Sequence, residues 1–224
     1  MVFPFSVPTR ARRGLAALLG LCLLAAGLTG CRDESDWHNT DVSGSLPDLA
    51  FTMTRAEDGK TVTADDYRGK VALLYFGYTF CPDICPLTLA NVAKVLDEMG
   101  EAAKQVRVLF VTVDPDRDTL TVLKDYTAAF GPQVDGLRGS PDQLAALARR
   151  YRVAYSVKPG KEAGSFEVTH SPAVYVFDQK GKARLLATSL DTAAPEIVGT
   201  AADLKRLAEG SGGGGPFAWL RRLF

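Results

Sequence analysis

The chain has 224 residues, enough for one sizeable core together with targeting and tail segments. It is 46% hydrophobic and 23% charged, a globular balance that excludes an intrinsically disordered chain. The 26 basic and 26 acidic side chains cancel, which argues against a nucleic-acid surface, so no nucleic-acid partner is expected.

Arg10, Arg12 and Arg13 form a positive segment ahead of an apolar run from Gly14 to Leu28. As a helix this run would span about 22 Å at 1.5 Å per residue, short of the roughly 30 Å hydrocarbon core. It therefore fits a secretory signal better than a permanent span. It ends in Leu28-Thr29-Gly30-Cys31, which resembles the lipobox of bacterial lipoproteins, where cleavage precedes a cysteine that receives lipid. Residues 1–30 are thus expected to be a lipoprotein-type signal peptide, with Cys31 as the lipidation site. That places the protein on the extracytoplasmic face of a bacterial membrane, the periplasmic side in a Gram-negative cell; an uncleaved anchor or a plain signal peptide is the alternative. Loss of residues 1–30 removes three arginines and no acid, leaving a mildly acidic chain. Cys22 leaves with the signal and Cys31 is blocked, so Cys81 and Cys85 remain in an oxidising compartment.

Residues 31–45 are polar and read as a tether, with His38 beside Trp37 as a solvated linker residue. The folded domain is expected over residues 46–209. Phe51-Thr52-Met53 and Thr61-Val62-Thr63, separated by Asp58-Gly59, suggest an N-terminal hairpin. Val71 to Tyr78 reads as a buried strand, followed by a helix from Pro86 to Met99 that Gly100 stops. Val106 to Val113 is a second buried strand, and Thr119 to Phe130 a helix closed by Gly131-Pro132. Ser140-Pro141 opens another helix through Tyr151, Ser being a favoured N-cap and Pro fitting the first turn. Ala173 to Phe177 and Ala183 to Thr188 are strands around a turn, and Pro195 to Glu209 supplies a last helix. Two β-then-α units followed by a hairpin and a helix describe an α/β fold of the thioredoxin type with an additional N-terminal β-hairpin. Residues 210–224 read as a Gly-rich linker and a short cationic, aromatic tail.

The chemistry concentrates between the first buried strand and its helix, in Tyr78-Thr79-Phe80-Cys81-Pro82-Asp83-Ile84-Cys85-Pro86. A helix start favours thiolates over thiols, so both cysteines are expected to ionise readily. Three residues separate them, where a thiol-exchange loop usually has two. At helical spacing the two Cβ atoms would lie about 5–6 Å apart, wider than the 3.5–4.5 Å or so of a disulfide. A soft metal held between two sulfurs needs no such closure. A staple across so short a loop would add only about 2 kcal/mol. The one strong soft or borderline ligand elsewhere in the domain is His170, immediately before Ser171-Pro172. In a thioredoxin-type fold the loop entering that strand lies against the cysteine loop. Zinc structural sites prefer four ligands and iron–sulfur clusters four cysteines; copper tolerates three, and thiolates select Cu(I). Asp114 ends the second buried strand, where it either orients His170 from behind the ligands or simply makes the turn before Pro115. Asp116 and Asp118 read as turn and helix-cap residues.

Together these residues resemble the Sco/SenC family of copper chaperones, over roughly Gly44 to Glu209. The resemblance rests on GYTFCPDICP, VTVDPDRDT and THSPAVYVFD in that order. It implies that Cys81, Cys85 and His170 bind one copper ion as Cu(I) or Cu(II), and that Asp114 is an outer-sphere group. It also implies a thioredoxin-like fold and a role in assembling the binuclear copper site of cytochrome c oxidase subunit II, with other copper-handling proteins as further partners. Thr169 stands where many relatives have an acid, and Phe80 where a polar residue is frequent. The alternatives from the same thiols are a thiol–disulfide oxidoreductase that reduces the cysteines of a partner copper site, and a peroxidase.

Overall fold

The computed structural model describes residues 37–159, 166–170 and 172–210, with side chains over 37–156 and 172–210. The expected signal segment, Cys31 and the tail beyond Gly210 lie outside the described residues. No helix among those described is long and apolar enough to cross a membrane.

The core forms around β4 (Val71–Gly77), every residue of which is buried. Its sequence, VALLYFG, has no polar face, as a strand covered on both sides requires. β5 (Val106–Thr112) runs parallel beside it, with Val71 opposite Val106 and Gly77 opposite Thr112. The connection is α1 (Ile84–Met99), which ends at Gly100 in the left-handed region (φ 59°), followed by a 3-10 segment over Gly100–Gln105. α2 (Leu120–Ala128) then leads to β6 (Val134–Arg138), parallel to β5. α3 (Pro141–Arg150) starts on a reciprocal capping box: Ser140 Oγ accepts from the Gln143 N–H and Gln143 Oε1 from the Ser140 N–H, at 3.3 and 2.8 Å. β7 (Tyr155–Pro159) and β8 (Phe166–His170) form a separate antiparallel pair, with Tyr155 opposite His170. β9 (Val174–Phe177) and β10 (Ala183–Ala187) return antiparallel to the main sheet, and α4 (Ile197–Ala208) packs on α1.

The N-terminal hairpin of β2 (Thr52–Arg55) and β3 (Thr61–Thr63) adds to the β6 edge, and β1 (Thr40–Asp41) to the β10 edge. Among the described residues the strand order is β1-β10-β9-β4-β5-β6-β2-β3. This is a thioredoxin-like α/β fold carrying the expected N-terminal hairpin. β6 is an addition to the elements expected from sequence, because Asp135-Gly136 interrupts its apolar pattern.

The His38 side chain is exposed, as its polar surroundings suggest, but its backbone is tied to α4 and not part of a free linker. Asp203 on α4 is only 2% exposed and needs donors. The backbone N–H groups of His38 and Asn39 supply two, at 3.1 and 2.9 Å, and the Asn39 side chain a third at 2.9 Å. Trp37 lies against Arg206, whose guanidinium is 4.1 Å from a ring centroid. A Cβ at Gly199 would fall 2.5 Å from the His38 ring, so the closeness of this contact depends on a glycine in α4.

Candidate metal centre

Parallel strands deliver their following loops to one end of a sheet, where α/β folds place their sites. Gly77 and Thr112 are neighbours at that end, so the loops after β4 and β5 leave it side by side. Asp118, 0% exposed, joins them. Its carboxyl oxygens accept from the Thr79 N–H at 3.1 Å, the Thr79 hydroxyl at 2.6 Å and the Thr112 hydroxyl at 2.5 Å. Its position in the chain suggests a turn or cap role; instead Thr119 is the N-cap of α2, and Asp118 is the buried tie of the cysteine loop. Nothing but its place next to the cap marks it in the sequence.

The helix start also behaves differently from a uniform thiolate site. Asp83, the N-cap residue of α1, makes no side-chain capping bond. The sulfur of Cys81 takes that place, accepting from the Cys85 N–H at 3.4 Å and from the Asp83 N–H. Pro86, third in the helix, has no N–H to satisfy. Burial, the largest single influence, raises the half-buried Cys81 thiol, and these two amides oppose it. With help from the Cys85 thiol and the Tyr78 hydroxyl, they hold Cys81 below the ordinary thiol value. Cys85 is 0% exposed, and burial, with the adjacent Cys81 sulfur, pushes it up to about 12. The expectation that both cysteines favour the thiolate therefore fails for Cys85: desolvation beats the helix start there.

The two cysteines are thiols in hydrogen-bond contact, not joined in a disulfide. Tyr75, Tyr78 and Tyr126 surround them, and burial followed by the nearby sulfurs raises each phenol; Tyr78 reaches about 12. Gly77 lets Cys85 sit close to the strand end, since a Cβ there would lie 3.1 Å from its sulfur and 2.5 Å from the Phe110 ring.

The backbone carries His170 toward the same end of the sheet. It closes β8, and β9 begins four residues later at Val174. β9 runs antiparallel to β4, with Phe177 opposite Ala72 and Tyr175 opposite Leu74, so its start points to the end from which the cysteine loop emerges. The imidazole itself lies outside the described side chains. Asp114 is 4% exposed and ion-paired with Arg117, whose Nε donates to its Oδ2. Among the described residues no group of three or more His, Cys, Asp or Glu side chains is placed to hold a metal.

A family model described as SCO1/SenC matches residues 45–208. Protein SenC of Rhodobacter capsulatus is 39% identical over 151 residues, which cover 67% of this chain and 65% of that protein. The chain spans about half or less of longer mitochondrial relatives from Arabidopsis thaliana and Bos taurus, 37% and 47% of their lengths. The copper-bound structure of Bradyrhizobium japonicum ScoI is 36% identical with a TM-score of 0.64, over 71% of this chain and 98% of that one. A SCO1/SenC family lipoprotein from Bacillus anthracis is 27% identical with a TM-score of 0.61, over 78% of this chain and 98% of that one.

Proposed function

The chain belongs to the SCO1/SenC family, and from that premise we propose that it binds one copper ion through Cys81, Cys85 and His170. It then delivers that copper to, or prepares, the binuclear site of cytochrome c oxidase subunit II. The observation that carries this reading is the adjacent pair of thiols at the start of α1, one sulfur already stabilised by two backbone amides, at the sheet end toward which His170 leads. Copper bound to the related ScoI supports the metal. Thiolates favour Cu(I), and an imidazole donor extends the set to Cu(II). Cys81 meets the ion as the readier thiolate; Cys85 gives up its proton as the second Cu–S bond forms. Half-exposed Cys81 is the sulfur that an incoming ligand of the recipient reaches, so ligand exchange with the partner begins there. Lipidation at Cys31 would hold the domain at the membrane surface beside its recipient, a reading that the lipoprotein relative supports.

Titration of the reduced protein with Cu(I) against a competing chelator tests the proposal. The parent takes up about one equivalent, and Cys81→Ala, Cys85→Ala and His170→Ala each lose at least about tenfold in affinity, about 1.4 kcal/mol or more. Unchanged affinity in His170→Ala would remove the imidazole from the site.

The thiol asymmetry also favours a second reading, reduction of a disulfide in the partner's copper site. The Cys81 thiolate attacks one partner sulfur, forming a mixed disulfide and releasing the other as a thiolate. Cys85 then loses its proton and attacks Cys81, closing Cys81–Cys85 and freeing the partner dithiol, so two electrons move to the partner. This activity survives in His170→Ala; copper delivery does not.

A further inference from the structure

Phe80 precedes Cys81 and is 57% exposed, one of three large apolar side chains left open to solvent among the described residues. It is not loosely held. The guanidinium of Arg117 lies 5.2 Å from its ring centroid. Arg117 donates through Nε to Asp114, which is almost fully buried and whose own N–H donates to Thr112 Oγ1 at 3.0 Å. A chain of contacts from the end of β5 thus fixes an apolar ring in water.

Cys85 is sealed in the core, so of the two sulfurs it is Cys81 that a recipient's ligand atom can meet. The adjacent residue, one Cα step of about 3.8 Å away, falls inside the footprint of whatever protein makes that approach. An ordered aromatic side chain loses little conformational freedom on docking and gains by leaving water, the profile of an interface anchor. We propose that Phe80, braced by Arg117 and Asp114, is the anchor on which the copper-receiving protein docks. The partner surface it fits is an apolar pocket beside vacant metal ligands. This rests on the copper-delivery reading and adds what the recipient must present. Asp114 thereby acts through Arg117, holding the brace for the docking residue.

The test is copper transfer from the mature full-length protein, loaded with Cu(I), to the soluble copper domain of a cytochrome c oxidase subunit II. Parent, Phe80→Ala and Phe80→Tyr are compared over a range of recipient concentrations. Phe80→Ala should bind copper with the parent's stoichiometry and, within twofold, its affinity. Its transfer rate at low recipient concentration should fall at least tenfold, while the rate at saturating recipient stays unchanged and Phe80→Tyr restores the parent. Equal transfer by parent and Phe80→Ala overturns the anchor and leaves the delivery reading standing. Failure of the parent to bind or transfer copper overturns the delivery reading itself, and the anchor with it. If Phe80→Ala transfers normally but loses binding to anionic lipid vesicles, the ring serves the membrane and the anchor is overturned.

Discussion

Cys81 and Cys85 stand four positions apart, yet opposite forces set their protons. Two backbone amides stabilise charge on Cys81, while burial opposes it on Cys85. Binding copper through both sulfurs, as proposed, requires both deprotonated. Above the Cys81 value and below about 12, the metal-free site keeps one proton, on Cys85. Binding expels it, so the apparent Cu(I) affinity should rise close to tenfold for each unit of pH. Below the Cys81 value a second proton is expelled and the slope steepens toward a hundredfold. Chelator competition from about pH 7.5 upward, above the ordinary histidine value near 6.5, measures this. An affinity flat with pH would mean that both thiols are already ionised, against the burial of Cys85. Asp114 and Asp118 illustrate a similar division: four residues apart on one loop, the first braces Arg117 and the second ties Thr79 to Thr112.

The tie made by Asp118 gives the loop after β4 its place. Replacing it with alanine leaves the Thr79 N–H and two hydroxyls without their acceptor in a buried setting, at a cost of about 2–4 kcal/mol. For a domain of this size that corresponds to a fall of roughly 5–15 °C in Tm. Thermal unfolding followed by circular dichroism checks it, with Asp118→Asn falling less because it retains an acceptor for the amide. Unchanged Tm in Asp118→Ala would mean that water replaces the carboxyl without loss.

The elements around this loop were legible to very different degrees. β4, β5 and α1 announce themselves through unbroken apolar runs and a glycine stop, and Ser140-Pro141 marks the start of α3 to the residue. β6 hides behind Asp135-Gly136, since a carboxyl and a glycine in mid-strand are tolerated only through tertiary contacts. There burial, opposed in part by Arg107, raises the Asp135 carboxyl. β1 and the Trp37–Asn39 strap read as a polar tether because their partners lie far along the chain: β10 for β1, and for His38 and Asn39 a single buried carboxyl, Asp203, more than 160 residues away. The cysteine pair was legible from its helix-start setting. The split between the two thiols was not, because spacing carries no information on burial.

At the scale of the whole molecule, the parallel strands β4 and β5 send their loops to one end of the sheet, and β9 begins there after β8 has delivered His170. The strap anchors the chain on β10 and α4, so residues 37–41, ahead of the expected start near Leu46, already contact the sheet and its helix. On the proposed reading, the long connections between these segments would let donors nearly ninety positions apart serve one ion. The most direct test of that convergence is the copper K-edge X-ray absorption of the reduced, Cu(I)-loaded protein. The account predicts two sulfur scatterers at about 2.3 Å, a distance taken from zinc thiolates, and one nitrogen scatterer that disappears in His170→Ala. A spectrum with fewer than two sulfurs, or one identical in parent and His170→Ala, would contradict it.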